Sequence, residues 1–215
     1  MKMKNIAAVA MAGCMAASLA ACGGSASSAA SSAASTEAAT SEAAEATGTS
    51  ANGFTVQLGP NPETLDPALN SAIDGANTII TTFEPLLLID ENNEVIPGQA
   101  DLPEVSEDGL TWTFTMKDGL KWSDGSDLTA KDFEYSFKRL ACPDTAAPYA
   151  ETVVGMIDGY EDAIGNPDAD GNTTTDPDWD ALNVHASEDG KTLTVQLAYP
   201  CSYFDKLCAF AAMSP

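Results

Sequence analysis

Asn166, Asp168 and Asp170 stand two apart and are followed by Gly171, which is the oxygen-ligand spacing and central glycine of the first half of a calcium loop. The position that should carry the closing bidentate glutamate is Pro177, so a solvated acidic loop competes with a cation site and no metal is assigned. His185 is the only histidine, and it sits in an alternating segment with no Gly-x-Ser-x-Gly or His-Glu-x-x-His context around it. Carboxylates are abundant, but sequence spacing alone cannot set the separation that paired acid and base carboxylates require. There is no glycine-rich phosphate loop and no Cys-x-x-Cys pair for zinc or redox chemistry. These residues argue against an enzyme, and no catalytic residue and no cofactor are expected.

The chemistry that the spacing does support is at the amino terminus. Lys2 and Lys4 precede a short apolar run from Ile6 to Ala17, which is too short to span a bilayer. Leu19-Ala20-Ala21-Cys22 followed by Gly23 resembles a bacterial lipobox; an ordinary secretory signal or an uncleaved anchor is the competing reading. By that resemblance residues 1–21 are a lipoprotein signal peptide and Cys22 becomes the lipidated first residue, anchored by two or three acyl chains. Residues 22–52 then form a tether of Ala, Ser, Gly and Thr, too poor in large apolar groups to order itself. Its flexible-chain reach is about 30 Å. With Cys14 in the leader and Cys22 lipidated, Cys142, Cys201 and Cys208 remain. An odd count leaves at least one free thiol unless another chain or further sequence supplies a partner.

The whole chain has 215 residues, 44% of them apolar, enough for a sizeable core. Its 32 acidic and 9 basic residues give a net charge of −23, which loss of Lys2 and Lys4 makes more negative still. Such a surface repels phosphate backbones, so nucleic acid is not an expected partner.

The elements that would position a site are clearest between Leu102 and Tyr149. Trp112, Phe114 and Met116 alternate with Thr111, Thr113, Thr115 and Lys117, the period of a half-buried strand. Asp118-Gly119 and Ser123-Asp124-Gly125 turn the chain on either side of Leu120-Lys121-Trp122. Thr129 and Asp132 have capping-box spacing ahead of a helix whose buried face is Phe133, Phe137 and Leu140. Glu134 and Lys138 are spaced to pair, and Cys142-Pro143 ends the helix.

Elsewhere, Phe54, Val56 and Leu58 alternate as a short strand, and Pro60 to Ser71 reads as an irregular loop turned by Asp66-Pro67. Ala76, Ile79, Ile80 and Phe83 have helical spacing, with Asp74 as the expected cap and Pro85 ending the pattern. Leu86 to Ile89 is continuously apolar, as expected of a strand buried on both faces, and Asp90 to Glu94 makes an acidic turn. Val153, Val154, Met156 and Ile157 suggest a buried helix face, followed by a short helix at Tyr160 to Ile164. Ser187 to Thr194 echoes Ser106 to Thr113, each placing Asp-Gly before an alternating strand, which predicts two similar hairpins in one antiparallel sheet. Leu193, Val195 and Leu197 would then face the core that holds Trp112 and Phe114. Ser202 and Asp205 have capping-box spacing ahead of a helix burying Phe204, Leu207, Cys208 and Ala211.

Several phrases carry a family resemblance: Glu63-Thr64-Leu65-Asp66-Pro67, Phe83-Glu84-Pro85-Leu86-Leu87, Lys121-Trp122-Ser123-Asp124-Gly125, Leu128 to Ser136, and Pro143-Asp144-Thr145-Ala146-Ala147-Pro148-Tyr149. From about Phe54 onward the chain resembles extracellular solute-binding protein family 5, the oligopeptide- and dipeptide-binding lipoproteins of ABC importers. The resemblance implies an α/β fold with a mixed sheet and helices, of the periplasmic-binding-protein type II kind with its extra family-specific domain, incomplete here. It implies that residues 53–83 begin the first lobe, 84–212 form the small extra domain, and 213–215 return toward the first lobe, the whole being an amino-terminal fragment. By the same resemblance Ser71, Ala72 and Ile73 run along the ligand and Tyr149 contacts it, with Ala72 standing where the family often has glycine. The implied partners are a peptide ligand and membrane permease subunits. The implied state is a monomer held at the outer face of the cytoplasmic membrane through Cys22. The alternatives are a related receptor for a nickel chelate, haem or an oligosaccharide, or a non-transport surface lipoprotein that senses signalling peptides.

Overall fold

Alternating side chains make Thr111–Thr115 a strand with one face in the core, and the fold is built outward from it. The computed structural model describes residues 59–215, so the leader, Cys22, the tether and the strand expected at Phe54–Leu58 lie outside the described residues. The described elements, in chain order, are α1 (Ile73–Thr82), β1 (Leu87–Ile89), β2 (Val95–Pro97), β3 (Glu104–Val105), β4 (Thr111–Thr115), α2 (Ala130–Ala141), α3 (Ala150–Val154), α4 (Tyr160–Ala163), β5 (Val184–Ala186), β6 (Thr192–Gln196) and α5 (Phe204–Leu207). Short 3₁₀ turns cover Pro143–Thr145, Trp179–Ala181 and Ala211–Met213.

β3, β4, β6 and β5 lie side by side in that order in one antiparallel sheet, and β1 pairs with β2 in a separate hairpin. Opposite Trp112 stands Val195, and opposite Phe114 stands Leu193, so both strands send the same face inward. Trp112, Phe114, Met116, Leu193, Val195 and Leu197 are all buried, with Phe204 set edge-on to Trp112 at 5.3 Å.

The two Asp-Gly hairpins are built alike. Ser106 and Ser187 each accept a bond from the amide five residues on, at 2.9 and 3.0 Å, and each donates to the turn aspartate, Asp108 or Asp189. Gly109 and Gly190 take the left-handed backbone (φ +71° and +69°) that closes each turn. Because β4 and β6 are neighbours, the two repeats meet in one sheet, as the pattern predicts.

α2 packs across β5 and β6, burying Phe133, Phe137 and Leu140. The Asp132 carboxylate accepts from the Thr129 amide at 2.8 Å, while the Thr129 hydroxyl accepts from Lys131, completing the cap. Lys138 binds Glu134 at 2.8 Å, and the other Glu134 oxygen accepts from the Ala186 amide, so an outward-facing group of edge strand β5 is satisfied by the helix.

Five expectations are corrected. Asp74 lies inside the first turn of α1, where its carboxylate accepts from Gly75; the N-cap is Ala72, with no side-chain cap. Ile80 is 62% exposed, because α1 turns only Gly75 and Ile79 fully inward. The run Leu86 to Ile89 is not buried on both faces: among the described residues β1 has β2 as its only strand partner, and Ile89 is 45% exposed. Ser202 caps nothing; α5 is a single four-residue turn capped at Tyr203, the Asp205 carboxylate accepts from Lys206, and Ala211 belongs to a separate 3₁₀ turn. The buried residues after Tyr149 also differ in form, since α3 ends at Val154 and Ile157 reaches the core through a bridge to Leu197.

Candidate functional site

The loop before α1 is shaped by Asp66. Its backbone carbonyl accepts from the amides of Leu69 and Asn70, and its Oδ1 accepts from Ala68 at 3.0 Å. Arg139 of α2 grips the same carboxylate with both arms of its guanidinium, at 2.8 and 2.5 Å. That bond holds the Asp66 carboxyl below its usual 3.8, with the neighbouring positive charge adding to the effect and burial opposing it. A lowered carboxylate value means the pair stabilises the fold in full above pH 3.8 and loses that contribution as pH falls through the lower folded value. Asp66→Asn is therefore expected to lower the urea midpoint at neutral pH and to shrink the loss of stability below pH 4, compared by titrating both proteins.

From Asn70 the chain enters an extended stretch through Ala72 (φ −115°, ψ 149°), a conformation that a Cβ does not strain. The departure from glycine at Ala72 therefore carries no backbone penalty. Ser71 and Ala72 are exposed, and Ile73 is 81% exposed. Tyr149, half-buried at the start of α3, meets Phe210 edge-on at 5.3 Å.

These parts close around one concavity of about 190 Å³, lined by Ser71, Ala72, Ile73 and Tyr149 together with Pro67, Asn70, Ala76 and the Phe210–Ala212 turn. All four site residues expected from the sequence thus line the same pocket, although Tyr149 is far from the others along the chain. Phe210 and Asn70 belong to it as well. Nothing in the local sequence marks Phe210; it arrives because the final 3₁₀ turn packs on α1. No lining side chain is charged. Larger concavities of about 510 and 420 Å³ lie beyond the other end of α1, around Glu84 and Gln99, and the four site residues do not line them.

The other chemical candidates resolve separately. His185 is exposed on β5 beside Asn183. Asp168 spends its carboxylate on the amides of Asp170 and Asn172, holding a turn. Cys201 and Cys208 are buried free thiols, Cys142 is a half-buried one, and burial pushes the Cys208 thiol well up.

The concavity is small and neutral, built of loop backbone, an amide and two aromatic rings on an α/β scaffold. The chain belongs to the bacterial extracellular solute-binding proteins, family 5, whose profile it matches across residues 94–214. It is 37% identical over 163 residues to the oligopeptide-binding protein OppA of Bacillus subtilis, covering 75% of this chain and 28% of that one. Among solved structures it resembles the murein tripeptide-binding protein MppA of Escherichia coli, with 35% identity, a TM-score of 0.63, and coverage of 72% of this chain and 28% of MppA. It also resembles Haemophilus influenzae OppA in complex with RPPGFSPFR, with 29% identity, a TM-score of 0.64, and coverage of 74% and 29%. The chain therefore spans little more than a quarter of the length of the relatives it matches. The family is one of solute receptors, not enzymes.

Proposed function

We propose that residues 59–215 form part of one wall of a peptide-binding cleft in the substrate-binding lipoprotein of an ABC importer. The observation that carries this reading is the convergence of Ser71, Ala72, Ile73 and Tyr149 on a single uncharged pocket. The extended backbone at Ala72 and the uncapped first turn of α1 offer main-chain groups to an extended peptide, as in strand addition. An uncharged pocket suits a receptor that tolerates varied side chains, because no fixed charge in it selects among them. Residues 53–83 begin the first lobe, 84–212 form the additional domain and 213–215 return toward the first lobe, in a type II periplasmic-binding architecture. The opposite wall of the cleft belongs to the portion of the relatives that this chain does not span. Closure of two lobes on the ligand presents the loaded protein to membrane permease subunits. The receptor is a monomer anchored through Cys22 at the outer face of the cytoplasmic membrane.

Mass spectrometry of ligands that co-purify with the full-length protein tests this directly. Short peptides are the expected finding; a nickel chelate, haem or an oligosaccharide in their place overturns the assignment. In the same protein Tyr149→Ala removes one aromatic wall and its partner ring contact, and is expected to weaken peptide binding by about tenfold, measured by calorimetry.

A further inference from the structure

Four residues link the body of α2 to the exposed backbone of the pocket wall. Arg139 holds Asp66 by two parallel hydrogen bonds, 73 residues apart in sequence. The Asp66 carbonyl receives the Asn70 amide at 3.1 Å, so fixing Asp66 fixes where Asn70 begins. The Asn70 side chain then donates from Nδ2 to the Ala72 carbonyl at 3.0 Å. Its other face lies against Gly75, where an added Cβ would stand 2.0 Å from Asn70 Oδ1; the amide is thus fitted into a space that only glycine leaves open.

We propose that Asp66 and Arg139 are positioning residues for the ligand wall: their ion pair sets the Asp66–Asn70 turn, and Asn70 passes that constraint to the backbone of Ser71–Ile73. The inference rests on the reading of that wall as a peptide contact. Its physical basis is that Ser71, Ala72 and Ile73 are exposed and have little packing of their own to hold them. A wall that must offer main-chain groups at fixed angles needs an external brace, and preorganisation of this kind raises affinity by reducing what is lost on ordering. The Arg139 fork supplies direction as well as charge, which an ammonium cannot reproduce. Arg139 itself is held on α2, whose buried face anchors it to the sheet. The brace therefore ties the pocket wall to a helix whose inner face is buried in the core.

The test uses the full-length protein, with a mixed library of synthetic tri- to pentapeptides as the probe. Calorimetry follows binding, and hydrogen exchange follows the amides of residues 69–73. Asp66→Asn, Arg139→Lys and Asn70→Ala are each expected to weaken binding by about tenfold, the scale of one lost hydrogen bond, and to speed exchange at residues 69–73. Arg139→Lys is the mild variant that keeps the charge should Asp66→Asn fold poorly. Because the residues act in series, the Asp66→Asn, Asn70→Ala double variant should bind no more than about twofold worse than the weaker single one. Glu134→Gln breaks the Lys138–Glu134 ion pair on α2 and is expected to lower stability while leaving affinity within about twofold. If Asp66→Asn lowers stability as Glu134→Gln does but changes neither affinity nor exchange at 69–73, the brace is only structural and the proposal falls. If the unmodified protein binds none of the library, the peptide reading falls by itself. Exchange then decides the brace: faster exchange in Asp66→Asn supports it, and unchanged exchange overturns it.

Discussion

Replacing Phe114 by alanine is expected to destabilise the fold by about 3–5 kcal/mol, the range for removing a fully buried aromatic ring. Phe114 is completely buried in β4, a central strand of the sheet, with Leu193 directly opposite on β6. Phe133 and Phe137 of α2 are equally buried in the same core. Backbone pairing on both sides of β4 keeps the strand from collapsing into the space the ring leaves, so the cavity term adds to the lost transfer free energy. Equilibrium urea unfolding followed by tryptophan fluorescence measures it, since Trp112 lies two residues away on the same face. A loss under about 1 kcal/mol would mean that the sheet face is not the organising core. Phe114→Leu keeps most of the volume and is expected to cost under half as much.

The second large effect comes from a comparison between the twin hairpins. Gly109→Ala and Gly190→Ala impose the same left-handed strain, about 1–2 kcal/mol for a residue with a Cβ. Their surroundings differ. At Gly109 the nearest atom to an added Cβ is Pro200 Cβ at 3.6 Å, an ordinary contact. At Gly190 it is Thr129 Cβ at 2.9 Å, and Thr129 is the residue that caps α2. The Gly190 carbonyl also accepts the first helical amide, from Ala130, at 2.8 Å. Gly190→Ala must therefore shift the turn away from the helix start and disturb a cap that itself contributes about 1 kcal/mol. Its total cost is expected to reach about 3–4 kcal/mol, some 2 kcal/mol more than Gly109→Ala. Urea midpoints of the two variants, measured side by side, check this. Equal losses would show that the second hairpin does not lock the helix.

Much of the scaffold is legible in the residue order because it rests on short-range rules. Alternation at Thr111–Thr115, the Thr129–Asp132 cap and the paired Ser-Glu-Asp-Gly turns each need only neighbours a few residues away, and all three take their expected form. The failures occur where a local signal competes with distant contacts. Ile80 has helical spacing, yet nothing in the described fold covers its side of α1. Ser202 has capping spacing, but a four-residue helix is too short for the pattern to decide its start. Leu86 to Ile89 reads as a doubly buried strand because the run cannot reveal how many neighbours it will have.

For the pocket the division is sharper. Family likeness picks out Ser71, Ala72, Ile73 and Tyr149, but no spacing rule explains why residues so far apart should meet, and none points to Phe210 or Arg139. Sequence alone determined the antiparallel pairing of the twin turns, the capped amphipathic helix and the acidic surface, since period, turn chemistry and charge are properties of nearby residues. Only the tertiary structure decided that the Asp66 loop is gripped from α2 and that the Ala211–Met213 turn swings Phe210 against Tyr149. Those contacts join segments tens of residues apart, and such partners are chosen by the packing of the whole core.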